Sequence, residues 1–210
     1  VFHCDAAQAL GRIAVDVNVW NVDLLSLSAH KAYGPKGVGA LFVRETQKTK
    51  VLVPLSFGGG QEAGVRPGTL PVPSIVGFGA ACDLAYQNFP EEVVRLQSLR
   101  TALLEQLRRL CPDLVVHGHP SNILPGLLSI GLPGVDGDAF LFALKDLAIS
   151  QGAACAAGSP EPSHVLVALG VSYELARSSF RFGIGRFTTK DEIGRAADEL
   201  HRVLTLLQMS

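Results

Sequence analysis

The stretch VDLLSLSAHKAYGPKGVGALFVR, Val22 to Arg44, reads as two strands around a turn. VDLLSLSAH (Val22 to His30) and VGALFVR (Val38 to Arg44) are rich in strand-forming residues, and AYGPKG between them carries turn chemistry. Lys31 follows His30 at the end of the first apolar run. Lysine is rarely buried without a partner or a task. At a strand end, desolvation or a nearby cation can lower its pKa and free the amine for Schiff-base chemistry. Ser28 and His30 can donate hydrogen bonds to a phosphate. Taken alone, Lys31 reads first as a solvated lysine at the mouth of a hairpin. GPKGVG is not a phosphate-binding P-loop, because the spacing and the residue after the lysine are wrong.

Upstream, FHCDAAQAL places Asp5 after a short apolar run and Gln8 three residues later. Alone, Asp5 reads as a turn or N-cap residue. A carboxylate at a strand end can also pair with a protonated pyridine nitrogen, as pyridoxal phosphate chemistry requires. The order of the two motifs, aspartate and then lysine, favours that second reading of both.

Composition narrows the choice. The chain has 210 residues, 48% hydrophobic and 18% charged, with a net charge of -1. That balance suits a globular chain, long enough for one large domain or two small ones, and implies no direct nucleic-acid partner. No apolar run is long enough to span a membrane, and no signal peptide is visible, so no membrane partner is expected. Four cysteines (Cys4, Cys82, Cys111, Cys155) are scattered without a CxxC pair or zinc spacing, so no metal site is expected. His117, His119, His164 and His201 add no partner spacing for a metal. A reducing compartment is expected from the absence of a disulfide pattern: the cytoplasm, or one such as the mitochondrial matrix. The chain opens at Val1, as though inside a strand, and reads as a fragment whose N-terminal part is missing.

Along the chain, VLVPL (51–55) and a glycine-rich loop, FGGGQEAGVRPGT (Phe57 to Thr69), come after the strands. A helix is predicted from about Ser74 to Gln87, with a break at NFP (Asn88 to Pro90). A second helix is predicted on Val93, Leu96, Leu99, Leu103, Leu107 and Leu110. Strands are predicted at DLVVHG and LLSIGL, a helix over GDAFLFALKDLA, a short helix from Ser163 to Leu169 and a strand over SSFRFGIG (Ser178 to Gly185). Thr189 with Glu192 three residues on opens the last helix with a capping box. Two domains result, 1–87 and 88–210. The second contains ISQGAACAAGSPEPSHVL (Ile149 to Leu166), which puts Cys155 in a run of small, turn-forming residues.

HCDAAQALGRIAVDV, VDLLSLSAHKAYGPKGVGALFVR, RPGTLPVPSIVGFGAA, SQGAACAAGSPEPSHVLVALG and SSFRFGIGRFT together resemble the cysteine desulfurases of the class V aminotransferase family. The match runs in order over essentially the whole chain. It implies an α/β, fold-type-I, pyridoxal 5'-phosphate-dependent transferase. Residues 1–87 would be the later part of the large cofactor domain, and 88–210 the small C-terminal domain with the cysteine loop. Lys31 would carry the cofactor, Asp5 would meet its pyridine nitrogen and Gln8 its phenolic oxygen. Ser28 and His30 would hold its phosphate. Thr69 would reach the cofactor of a partner subunit, implying a homodimer. Arg181 would grip the substrate carboxylate, where a planar bidentate donor suits best.

The resemblance further implies removal of sulfur from L-cysteine, giving L-alanine and a persulfide on Cys155. An acceptor protein, such as an iron–sulfur scaffold, would then take the sulfur. A thiolate on a mobile, accessible loop fits that task. Cys4, Cys82 and Cys111 read as packing residues. The family's upstream glycine-rich phosphate loop, ring-stacking histidine and asparagine have no counterpart in this chain, so weak cofactor binding is expected of this chain by itself. A selenocysteine lyase, a class V lyase without a catalytic thiol and a non-catalytic remnant remain the alternative readings.

Overall fold

The computed structural model describes residues 1–45, 52–151 and 161–208. It divides into two compact units, Val1–Glu91 and Glu92–Ser210.

In the first unit, alternation decides which face of the sheet is covered. β1 (His3–Asp5) pairs in parallel with β2 (Leu24–Ser28), and β2 pairs antiparallel with β3 (Gly39–Val43). Cys4, Leu25 and Phe42 are cross-strand neighbours, and they pack with Ala6, Ala9, Val22 and Trp20. His3, Asp5, Ser26 and Ser28 therefore share the other face. Parallel strands need a crossover, here residues 6–23. Arg44 pins that crossover, donating from Nε to the Val22 carbonyl at 2.9 Å and from Nη2 to the Val17 carbonyl at 2.5 Å. The apolar run at 52–55 forms no strand, and Val53 and Leu55 are exposed.

α1 runs unbroken from Val72 to Leu110 with Pro90 inside it. The break expected at Asn88–Pro90 is absent. Proline removes one helical donor, but buried side chains hold the helix on both sides: Phe78, Ala81 and Ala85 before it, Leu96, Leu99, Leu103 and Leu107 after it. The Asn88 side chain donates to the Leu84 carbonyl at 2.7 Å just before the proline.

The second unit is an antiparallel sheet of order β4-β5-β7-β6, formed by Val115–Val116, Leu127–Gly131, Ser179–Gly183 and Ser150–Gln151. One face carries Leu128, Ile130, Phe180 and Phe182 into a core completed by α1 and by α5 (Lys190–Gln208). Phe180 stacks on Phe140 of α2 (Gly137–Ala143), with ring centroids 4.7 Å apart. Asp136 caps α2, accepting from the backbone of Asp138 and Ala139 at 3.0 Å each. α2 stops at Ala143 rather than running to Ala148, because Leu144 turns extended and Leu144, Leu147 and Ile149 pack on the core. α3 (His164–Ala168) and α4 (Tyr173–Arg177) precede β7. The capping box of α5 is present: the Thr189 N–H donates to Glu192 at 2.8 Å, and the Glu192 N–H to Thr189 Oγ1 at 3.2 Å. Near the start of this unit, Glu92 accepts from Arg186 Nε at 2.7 Å, and Arg95 donates to the carbonyls of Gly185, Arg186 and Thr188. These contacts fix the turn after β7.

Phe180 is 1% exposed. Replacing it by alanine leaves a cavity against Phe140 and costs about 3–5 kcal/mol, read as a lower urea midpoint for unfolding of the second unit.

Candidate functional site

In open α/β sheets ligands collect outside the carboxyl ends of parallel strands. In the first unit that end holds five of the residues singled out by sequence. Asp5 is the last residue of β1 and pairs with Ser26; Ser28 is the last residue of β2. His30 and Lys31 lie on the 3-10 turn Ala29–Ala32 immediately after β2. Gln8 is exposed in the turns after β1.

Their hydrogen bonds leave specific groups available. Asp5 Oδ1 accepts from the Ala7 N–H at 3.0 Å. Among the described residues Asp5 Oδ2, the Gln8 amide and the Lys31 amine have no hydrogen-bond partner. Ser28 Oγ and His30 Nδ1 are 2.9 Å apart. If the hydroxyl donates, the imidazole Nε2–H points outward; if the imidazole donates, the hydroxyl proton is left over. Either tautomer offers one outward donor. His3, which sequence reasoning passed over, lies on the same sheet face and bonds Ser26 Oγ through Nε2 at 3.1 Å.

Two more residues beside this cluster were not anticipated. Tyr33, two residues past Lys31, has φ 65°. Arg12 Nη2 donates to the Tyr33 hydroxyl at 3.0 Å, and the guanidinium carbon is 5.5 Å from the ring centroid. The signal was local but weak: an aromatic directly before Gly-Pro.

Thr69 stands apart from the cluster, exposed on the loop before α1. That loop is bent by Glu62, Ala63 and Gly64, with φ 48°, 54° and 78°. Gln61 Oε1 accepts from the Gly68 N–H at 3.0 Å, and Arg66 Nη1 donates to the carbonyls of Gly68 at 3.0 Å and Thr69 at 3.3 Å.

Arg181 belongs to the second unit. It lies on β7 between Ser129 and Ser150, half-buried on the face opposite Phe180 and Phe182. Among the described residues its guanidinium has no hydrogen-bond or ion-pair partner. His117 pairs with Ser129 on the same face. Ser179 Oγ donates to the Leu175 carbonyl at 2.5 Å, so the 2.8 Å contact with His117 Nε2 uses the imidazole proton. Burial holds His117 below its ordinary pKa. Cys155 lies outside the described residues. Burial raises the thiol pKa of Cys82 and of Cys111, with Asp83 and Asp113 adding to the effect. Among the described residues no cluster of His, Cys, Asp or Glu could hold a metal ion. No helix there is long and apolar enough to cross a membrane.

The lysine turn lies at the carboxyl end of a parallel strand pair, and the second unit carries an arginine on its sheet, in an α/β chain of the fold-type-I class. The sequence model of the family Aminotransferase class-V matches residues 1–195, and the chain belongs to that family. It is 47% identical over 210 residues to the cysteine desulfurase of Mus musculus, covering 100% of this chain and 46% of that protein. It is 49% identical to "Cysteine desulfurase, mitochondrial" of Arabidopsis thaliana, again over 100% of this chain and 46% of that protein. Among solved structures, a NifS-like protein matches with TM-score 0.85 and 31% identity, over 98% of this chain and 52% of that one. The chain thus spans about half the length of the curated relatives it matches.

The family uses pyridoxal phosphate, and the donor set of the first unit fits that group. The ring nitrogen needs an anionic acceptor, which Asp5 Oδ2 would supply. The phosphate needs neutral or cationic donors, which Ser28 and His30 would supply. The aldehyde needs a free amine, which Lys31 would supply.

Two measurements check these environments. Alkylation followed by mass spectrometry across pH should show Cys82 and Cys111 reacting at a higher pH than a free thiol, because thiolate formation is suppressed at both. For His117 the folded pKa lies below the unfolded value of 6.5. The unfolded chain therefore binds the proton first as pH falls. This contribution to stability is complete above pH 6.5 and is lost as pH drops from there through the folded pKa. His117→Gln should flatten that part of the stability–pH curve.

Proposed function

We propose that this chain carries the lysine, substrate-binding and sulfur-accepting residues of a pyridoxal phosphate-dependent cysteine desulfurase. The observation that carries the reading is the Lys31 amine, without a hydrogen-bond partner among the described residues, on the turn after β2, beside the strand that ends in Asp5. The identity to relatives named cysteine desulfurase supports the choice of substrate.

Bound pyridoxal phosphate supplies an electron sink conjugated to the substrate's α-carbon. The chain's own residues do the rest. Lys31 holds the cofactor and, once the substrate amine has taken its place, moves the proton at the substrate α-carbon. Asp5 keeps the ring nitrogen protonated, because a carboxylate at that atom favours the charged form. Gln8 hydrogen-bonds the ring oxygen. Ser28 and His30 anchor the phosphate, joined by Thr69 from the partner of a homodimer. Arg181, which has no carboxylate partner among the described residues, binds the substrate carboxylate bidentately.

Cys155 takes the sulfur. Its thiolate attacks the substrate sulfur, the substrate C–S bond breaks, and the carbon gains a proton. L-Cysteine and the Cys155 thiol become L-alanine and a Cys155 persulfide, with no external oxidant or reductant. A sulfur-acceptor protein, an iron–sulfur scaffold being one of this kind, removes the outer sulfur. The free thiols require a reducing compartment.

The test is turnover of L-cysteine by the complete gene product. Lys31→Ala should lower alanine formation by roughly 10²–10⁴-fold. Cys155→Ala should keep the visible absorbance of bound cofactor yet form no protein persulfide. Alanine and sulfide made by Cys155→Ala at the parental rate would exclude the thiol mechanism.

A further inference from the structure

Lys31 occupies a short turn whose first N–H, from Ala29, donates to the Val38 carbonyl at 3.1 Å. The 3-10 turn Ala29–Ala32 buries only its two alanines, and His30 and Lys31 are exposed. The turn ends at Tyr33, whose φ of 65° and ψ of 16° are left-handed. For a bulky L-residue that conformation is unfavourable. It reverses the chain so that the Gly34 N–H reaches the Ala29 carbonyl at 2.9 Å. A Cβ on Gly34 would come within 3.1 Å of that same carbonyl, so the closure is tight. With Tyr33 right-handed, the chain after the turn would leave in another direction and this closure would be lost. Strain of this kind persists only where neighbouring contacts impose it.

One neighbouring contact is Arg12. Its Nη2 donates to the Tyr33 hydroxyl at 3.0 Å, and its guanidinium carbon lies 5.5 Å from the ring centroid, within cation–π range. Arg12 belongs to the turns after Asp5 and Gln8, where its own N–H donates to the Ala9 carbonyl at 2.9 Å. Gly11, with φ 70°, stands under this segment, and a Cβ there would meet Ala85 of α1 at 3.0 Å. The Arg12–Tyr33 pair therefore ties the segment that leaves Asp5 to the turn that carries Lys31.

We propose that Arg12 and Tyr33 are positioning residues that hold the Lys31 amine in register with Asp5. Neither touches the reacting atoms. The pair holds Tyr33 left-handed, and Tyr33 ends the turn with Lys31 facing outward. This rests on the reading of Lys31 as the cofactor lysine.

The test uses the complete gene product and four variants: Tyr33→Phe, Arg12→Ala, Arg12→Lys and the double variant Arg12→Ala/Tyr33→Phe. Three quantities are read: the rate at which apoprotein regains visible absorbance with pyridoxal phosphate, kcat and KM for L-cysteine, and the apoprotein Tm. Each of Tyr33→Phe and Arg12→Ala should slow reconstitution and lower kcat by about fivefold, with KM unchanged. The apoprotein Tm should stay within about 2 °C of the parent. The double variant should be no slower than either single one, as for one shared interaction. Arg12→Lys should recover most of the loss. Parental rates in both single variants would overturn the proposal, as would losses that add in the double variant. A Tm that falls in step with the rates would mark plain structural support and overturn it too. If the parent itself gains no visible band, the assignment of Lys31 fails, which is a separate result.

Discussion

The parallel register of β1 with β2 is the constraint on which the candidate site depends. Asp5 pairs with Ser26, so the two strands finish at the same edge of the sheet, and the residues after each strand are delivered to that edge. Backbone hydrogen bonds bring Asp5 and the Lys31 turn, distant in sequence, to the same end of the strand pair. The buried face makes the register hard to slip. Leu25 is 1% exposed, and a shift by one residue would put Ser26 into the core and Leu25 onto the site. The crossover that the parallel pair requires is held by Arg44 on one side, while Arg12 of the same crossover reaches Tyr33.

The second unit works by the same alternation. Phe180 and Phe182 commit one face of β7 to the core, and Arg181 must then occupy the other. Cross-strand neighbours there are Ser129 and Ser150, small and uncharged, and among the described residues no carboxylate pairs with the guanidinium. The turn beyond β7 is clamped by Glu92 and Arg95 from α1. Each unit thus turns an ordinary apolar face into a support for a polar group on its reverse.

Much of this was legible in sequence because it arises from short-range patterns. The strand end at Asp5, the strand before Lys31 and the Thr189–Glu192 box are all local readings, as is the exposure of Lys31, although the strand read as running to His30 stops at Ser28 where the 3-10 turn begins. Long-range packing produced the differences. NFP was read as a break, yet α1 passes through Pro90 because leucines on one side and small residues on the other bury the helix regardless. The pattern of GDAFLFALKDLA continues past Ala143, but Leu147 and Ile149 find core contacts in extended chain. Arg12 and Tyr33 could not be paired by inspection, since nothing local links a surface arginine to a tyrosine twenty-one residues away.

The central claim is that Lys31, placed by the β1–β2 register, is the residue that binds pyridoxal phosphate. Borohydride reduction of the complete gene product loaded with the cofactor, followed by peptide mapping, tests it most directly. The account predicts the reduced adduct on the peptide that spans Ser28–Tyr33, at Lys31. An adduct at Lys36 five residues on, or no adduct in a protein that nonetheless converts L-cysteine to alanine, would contradict it.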